Sequence, residues 1–175
     1  HDLHLDDDYL RQLAALDEPL LASKEVIPEA LLRRVIQANF RVGGARAIAQ
    51  IAAHEKFSLA IRREALQALA DWATPAPRDR VTGNWRPLAP RDPAAARDEI
   101  GLPLATILAT NQGELQALAT NVVAKLNVKI EDDRFLAWAE DARDPARQIA
   151  ALELLVARHH AEAAGLLTSS TRSKN

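Results

Sequence analysis

Apolar residues recur at intervals of three and four along most of the chain. In the stretch that Ser58 is expected to cap, the apolar positions are Ala65, Leu66, Leu69 and Trp72. A helix completes one turn every 3.6 residues, so this spacing places these side chains on one helical face. No segment shows the sustained alternation of apolar and polar residues that is typical of a half-buried strand. The spacing therefore predicts an all-α fold.

The composition supports the same fold class. Apolar residues make up 48% of the 175 positions but aromatic residues only 4%, so most of the apolar content is Ala and Leu. These two residues lead the helix-propensity ranking, and strand-favouring residues are sparse. We predict a single helical domain over residues 1–167, followed by a polar tail over residues 168–175.

Prolines and glycines mark where the predicted helices begin and end. Pro28 suits the first turn of a helix that ends at Gly43, and a second helix is expected over about residues 44–55. Pro19 is expected to end a short first helix, and Pro103 to split a later one. The other predicted helices begin near positions 6, 92, 113, 131 and 144.

Two segments of the chain resemble each other. They are SLAIRREALQALADWA, from Ser58, and DPARQIAALELLVARH, from Asp144. Their separation is close to two units of the roughly 40–47 residues typical of HEAT and armadillo repeats. We therefore predict a HEAT/armadillo-like stack of antiparallel helix pairs (an α-α superhelix), with an irregular helical bundle as the alternative. The predicted core positions are Leu32, Ile36, Ile48, Ile51, Leu66, Leu69, Leu118, Val122, Leu152 and Leu155.

Charge and composition exclude several classes of function. The net charge is −2 and the basic residues are evenly spread, which is not the footprint of a nucleic-acid-binding protein. No apolar run approaches the roughly 18–20 residues that span a bilayer. The chain has no Cys, so it contains no disulfide or thiolate metal site. It also has no Met and begins at His1, from which we expect a fragment of a longer protein.

The histidines and carboxylates form no pattern typical of a metal or catalytic site. Four candidate ligands near the N-terminus are His1, Asp2, His4 and Asp6. A chain end rarely supplies the outer contacts that hold metal ligands in place, and the adjacent His159 and His160 would point about 100° apart on a helix. The carboxylates at Glu131–Asp133 and Glu140–Asp141 fall at expected helix ends. We expect neither catalysis, nor a metal, nor a cofactor in this chain.

Two arginine pairs are candidates for a concave binding groove. Arg33-Arg34 and Arg62-Arg63 would suit an acidic partner there, since repeat proteins bind along such surfaces. Long charged side chains also cover the flanks of helices with their apolar stems. We expect that second role for at least one arginine of each pair.

Residues 74–91 interrupt the helical pattern with four prolines. A connection longer than about 12–15 residues without helix or strand is usually functional or disordered. Trp85 either packs on the helices or is presented to another domain. Because Trp carries a large apolar surface, we expect an ordered loop with Trp85 largely buried. If the loop is instead presented, its candidate docking residues are Arg78, Asp79, Arg80, Trp85 and Arg86.

The sequence on either side of this loop resembles a known family. The similar segments are RVIQANFRVGG (Arg34–Gly44) and RREALQALADWATPAPRDRVTGNWRPLAPRD (Arg62–Asp92). The helix end at Asp71-Trp72 and the loop over Arg78–Gly83 are their most specific parts. They look like the HEAT-like region of large bacterial membrane-bound-dehydrogenase-like proteins. In that family a β-propeller precedes the helical repeats, and a c-type cytochrome domain with a CxxCH haem site follows them.

The resemblance implies a non-catalytic scaffold or interaction domain, located outside the cytoplasm. Its partners would be other domains of the same polypeptide or another protein. The family's catalytic and haem-binding residues belong to those other domains, and none is carried onto this chain. The alternative function is a HEAT-like nucleic-acid-binding protein, similar in architecture to helical-repeat DNA glycosylases, which present a basic concave face.

Overall fold

The structure is a computed structural model, which describes residues 5–110, 112–143 and 145–157. Its helices are α1 (Leu5–Ala14), α2 (Asp17–Ala22), α3 (Glu29–Val42), α4 (Ala45–Ala53), α5 (Leu59–Ala70), α6 (Ala94–Leu108), α7 (Gly113–Leu126), α8 (Asp132–Glu140) and α9 (Pro145–Ala157). The described part contains no strand beyond one isolated bridge, which confirms the all-α prediction. Predictions on residues 1–4, the side chain of Asp6, Asp144, the pair 159–160 and the tail lie outside the described residues.

Several helix boundaries follow the local sequence as predicted. Pro28 immediately precedes α3, where its missing N–H costs no helical hydrogen bond. Gly43 ends the same helix with a φ of 96°, a left-handed conformation that glycine adopts without steric cost. At the start of α5, the hydroxyl of Ser58 accepts a hydrogen bond of 3.4 Å from the amide of Ile61. The cap predicted at Ser58 is therefore present.

Two predictions about proline were wrong. Pro103 does not split its segment, because α6 continues through it. Proline removes one backbone hydrogen bond, but Ile100 and Leu104 on either side are fully buried and hold both halves against the core. Pro19 does not end a helix either. It lies in the first turn of α2, where the amide that proline lacks has no partner within the helix.

All the described helices except α8 pack in two rows. In one row α1 packs on α3, α3 on α5 and α5 on α7, while in the other α2 packs on α4, α4 on α6 and α6 on α9. Some helices that are adjacent in sequence also pack together, as α4 does with α5 and α8 with α9. Each inner helix therefore contacts neighbours both along its own row and across to the other.

A continuous apolar core lies between the rows. Nine of the ten predicted core positions are buried, and Leu118 is half-buried at the edge of the core. Trp72 and Phe135 are the largest fully buried side chains. Phe40 packs edge to face on Trp72, with ring centroids 5.9 Å apart. This contact joins the C-terminal ends of α3 and α5, from which the loop at residues 71–93 leaves.

A side chain from elsewhere in the chain caps the C-terminal end of each helix from α1 to α8. The last carbonyl groups of a helix have no partner within it, and the negative end of the helix dipole favours donors and cations there. In order of the helices capped, the donors are Asn39, Lys56, Arg91, Arg62, Arg80, Gln116, Arg97 and Gln148. Four of these bonds, donated by Arg62, Gln116, Arg97 and Gln148, connect helices that are adjacent in sequence.

Three of these donors occupy the same position in their helices. Arg62, Gln116 and Gln148 are each the fourth residue, in α5, α7 and α9 respectively. Each donates to a carbonyl oxygen in the last turn of the preceding helix, over 2.8, 2.9 and 2.8 Å. The same local device therefore recurs three times along the chain.

Candidate functional site

The connecting loop, residues 71–93 between α5 and α6, contains a short hairpin. Arg78 and Trp85 form an antiparallel bridge. On either side of it, the amide of Asp79 donates to the carbonyl of Asn84 and the amide of Arg86 to that of Pro77, both over 2.9 Å. Gly83 allows the turn with a φ of 72°. These bonds close the hairpin over residues 77–86.

Asp79 is the internal anchor of the hairpin. Its side chain is buried, and Oδ1 accepts hydrogen bonds of 2.9 Å from the amides of Val81 and Thr82. Oδ2 accepts a third, of 3.1 Å, from the side-chain amide of Gln37 on α3. Burial by itself raises the pKa of Asp79, but the hydrogen bonds from Thr82, Val81 and Gln37 outweigh it and lower the pKa below its ordinary value.

Two arginines tie the connecting loop to the ends of α5 and α3. Arg80 donates to the carboxylate of Asp71 and to the carbonyl of Gln67 at the end of α5. Arg91 donates to the carbonyls of Phe40 and Arg41 at the end of α3. Its guanidinium also lies 4.7 Å from the ring centroid of Trp72 and 5.1 Å from that of Phe40. Burial, aided by the charge of Arg41, lowers the pKa of Arg91.

The prediction that Trp85 is largely buried was wrong, since 65% of its surface is exposed. Side chains alternate between the two faces of an extended strand, and Asp79 occupies the face turned toward α3. The bridged pair Arg78 and Trp85 therefore lies on the outer face, with the guanidinium 5.8 Å from the indole centroid. Leu88, which packs against the core, supplies the apolar contact that had been expected of Trp85.

The five predicted docking residues do not form one surface. Arg78 and Trp85 share the outer face of the hairpin, whereas Asp79 is buried beneath it. Arg80 is half-buried and tied to α5. Arg86 lines a groove on the inner side. Of the five residues, only Arg78 and Trp85 lie on the outer face, where a partner could contact them.

The inner side of the hairpin forms one wall of an open groove, with α1 and α3 as the other walls. Its volume is about 260 Å³. The lining residues are Tyr9, Leu10, Leu13, Arg34, Gln37, Asp79, Val81, Thr82 and Arg86. Neither Tyr9 nor Gln37 is among the site residues predicted from the sequence. The available signal was the polar Gln37 within the otherwise apolar run from Val35 to Ala38, where a buried polar side chain indicates a specific partner.

The two arginine pairs do not line a common groove. Arg62 is buried, donates to the carbonyl of Ala52 and to the side chain of Gln112, and has a pKa lowered by burial. Arg63 forms an ion pair of 3.2 Å with Glu114. Arg33 forms one with Glu64, of 3.1 Å. Arg34 alone reaches the groove beside the connecting loop.

Within the described ranges, the candidate histidines and carboxylates do not come together in one site. No group of three or more His, Asp or Glu residues there is arranged to hold a metal ion. At the end of α8, Asp141 accepts hydrogen bonds from the exposed guanidinium of Arg143. Among the described helices, none has both the length and the apolar character needed to cross a membrane.

Comparison with known proteins returns no relative. No family model matches the chain, and neither a curated protein nor a solved structure does.

Proposed function

We propose that this chain is a non-catalytic, HEAT-like scaffold whose connecting loop docks another protein or another domain of the same polypeptide. The observation that carries the proposal is the exposure of Trp85 on a loop held in place by other residues. Ordering the backbone costs about 1–2 kcal/mol per residue, and Asp79, Arg80 and Arg91 supply the contacts that offset this cost. Trp85 takes no part in these contacts, so its exposed surface can bind a partner. Trp is enriched among the residues that contribute most of the binding energy at interfaces.

Two features support the stacked-repeat architecture. From α1 to α7 the helices form two rows in which each packs on the next of its own row, as helix pairs do in a solenoid, whereas α8 packs on α9 and α9 on α6. The donor at the fourth position of α5, α7 and α9 recurs with the same target, the end of the preceding helix. A repeated unit explains this recurrence directly, whereas an irregular bundle offers no reason for it.

The environment of the arginines favours a protein partner over a nucleic acid. Nucleic-acid binding depends on cations that are free to contact phosphates. Here Arg62, Arg91 and Arg97 donate to carbonyl groups at helix ends. Arg33 and Arg63 are paired with glutamates. These five cations are therefore already engaged in holding the fold.

The wider context of the proposal rests on the resemblance of residues 34–44 and 62–92. We propose that the chain belongs to a dehydrogenase-like, cytochrome c-containing protein outside the cytoplasm, in which it separates a β-propeller from a haem domain. The complete reading frame tests this. A propeller encoded before the chain and a CxxCH motif after it are expected, and a frame lacking both would contradict this part of the proposal.

A photo-crosslinking amino acid in place of Trp85 tests docking directly. In the full-length protein, within the cells that make it, position 85 is expected to crosslink to one defined polypeptide segment, identified by mass spectrometry. The matched control is the same amino acid at Leu102, which lies on α6 and is 55% exposed. Equal labelling from positions 85 and 102 would contradict docking at the connecting loop.

A further inference from the structure

Two exposed prolines, Pro87 and Pro90, follow the hairpin in the connecting loop. Residues 86–92 run on an extended path, without a helix, a turn or a bend. Proline fixes its own φ at about −65° and disfavours the helical region for the residue before it. The two prolines and the residues that precede them, Arg86 and Ala89, are therefore restricted in this way. These restrictions and the extended path are typical of a polyproline II segment.

The segment is turned so that both prolines face solvent. Leu88 packs against the core, and Arg91, three residues later, donates to carbonyl groups at the end of α3. A polyproline II helix has about three residues per turn, so residues three apart lie along one edge. Leu88 and Arg91 form the inner edge. Pro87 and Pro90 form an outer edge, and Ala89 between them is also exposed. We call these three exposed residues the proline ridge.

Backbone hydrogen bonds hold the segment on both sides of the ridge. The amide of Arg86 donates to the carbonyl of Pro77 over 2.9 Å, and the amide of Arg91 donates to that of Ala73 over 3.1 Å. A flexible segment loses conformational freedom when it binds, and this loss weakens binding. The ridge is already fixed by the fold, so most of this loss does not arise.

The chemistry of the ridge points to aromatic side chains on the partner. Segments with the pattern PxxP bind, in the polyproline II conformation, to grooves lined by aromatic residues. This chain carries the pattern as Pro87-Leu88-Ala89-Pro90. The arginines on either side face inward, since Arg86 lines the groove beside α3 and Arg91 is bonded to the end of that helix. The proline rings, and not these charges, are therefore the groups offered to a partner.

We propose that the proline ridge docks into an aromatic-lined groove of the partner protein. Aromatic rings of the partner pack on the rings of Pro87 and Pro90, while Leu88 remains on the core of this chain. Because the contacts are apolar, binding should change little with salt concentration. The inference rests on the proposed docking function and names the chemistry of the surface that the partner presents.

A photo-crosslinking amino acid in place of Ala89 tests the inference in the full-length protein, within the cells that make it. We expect adducts on or next to Trp, Tyr or Phe residues of one polypeptide, located by mass spectrometry. In cell extracts the yield should persist at high ionic strength. The control position is again Leu102, an exposed residue of α6. Labelling no stronger than from position 102, or adducts only on segments without aromatic residues, would overturn the inference.

Two double variants show whether the proline rings are the groups that the partner binds. Pro87→Ala/Pro90→Ala is expected to reduce crosslinking from position 89 about tenfold. Pro87→Val/Pro90→Val should reduce it similarly, although valine keeps apolar bulk and favours an extended backbone, so that the loop remains folded. Pro19→Ala replaces an exposed proline of α2 and should have no effect. Crosslinking at the wild-type level in either double variant would overturn the inference.

The outcome is separable from that of the docking test at Trp85. A specific crosslink from position 85 that persists in both double variants, without aromatic adducts from position 89, would leave the docking function standing and remove the proline ridge from it. Absence of a specific crosslink from both positions would remove the docking function as well.

Discussion

Two polar residues on the apolar face of α3 connect parts of the chain that are far apart in sequence. Gln37 reaches the connecting loop through Asp79, and Asn39 donates to the carbonyl of Ala14 at the end of α1 over 3.2 Å. Both side chains are buried, so losing either contact would leave polar groups without water or protein partners. They position α1 and the loop on the two sides of the groove.

The contact between Gly44 and Asn39 gives a prediction. An added Cβ at Gly44 would overlap Oδ1 of Asn39, so Gly44→Ala must displace that side chain from its carbonyl partners, Ala14 and Val35. We expect a loss of about 1–3 kcal/mol in the free energy of unfolding, measured by urea denaturation. Gly113→Ala is the control, because a Cβ there meets open space. Equal stabilities for the two variants would show that Asn39 does not fix α1.

Asp79 gives a prediction that depends on pH. Asn has one carbonyl oxygen where Asp has two, so Asp79→Asn leaves either Gln37 or the loop amides without an acceptor. We expect a loss of about 1–3 kcal/mol at pH 7, measured by urea denaturation.

The pKa of Asp79 is lower in the folded protein than in the unfolded chain. Its contribution to stability is therefore complete above the unfolded-state pKa and is lost as pH falls through the folded-state pKa. The wild type and Asp79→Asn should converge in stability at acidic pH, while the exposed Asp98→Asn should match the wild type throughout. A constant difference across this range would contradict the assignment.

At the scale of helices, the sequence predicts where most of them begin and end but not which distant side chains cap their C-terminal ends. Pro28, Gly43 and Ser58 act through their own backbone or their nearest neighbours, so their effect can be read locally. The donors at the C-terminal ends come from residues up to 51 positions away, as Arg91 does for Phe40. Their targets depend on how helices pack. The prediction that Pro103 splits its helix was wrong for the same reason. The burial of side chains on both sides of Pro103 depends on packing with other helices and keeps α6 continuous.

The recurring donor at the fourth helical position can be tested by exchange. Gln116→Leu leaves the carbonyl of Leu108 without its donor, and we expect a loss of about 1 kcal/mol in the free energy of unfolding. Gln116→Arg should retain most of the stability, because Arg62 makes the equivalent contact in α5. Guanidinium denaturation of the three proteins provides the measurement. If the arginine variant is no more stable than the leucine variant, the two positions are not equivalent.

At the scale of the whole molecule, the residues that hold the connecting loop in place are different from the large apolar residue that the loop exposes to solvent. Buried and half-buried polar groups, among them Asp79 and Arg91, secure the connecting loop. Trp85 stands outside this network. The preference of Trp for burial predicted the opposite, because propensity does not reveal which face of a short hairpin turns toward solvent. The candidate docking surface is thus visible only once the loop is folded.

The most direct test of this separation is the free energy of unfolding of Trp85→Ala beside that of Leu88→Ala. We predict that Trp85→Ala stays within about 1 kcal/mol of the wild type, since the exposed indole contributes one cation–π contact to the fold. Leu88→Ala should lose more, because Leu88 packs on the core. A loss of about 3–5 kcal/mol for Trp85→Ala, the cost of removing a buried Trp, would contradict the account and make Trp85 a structural residue.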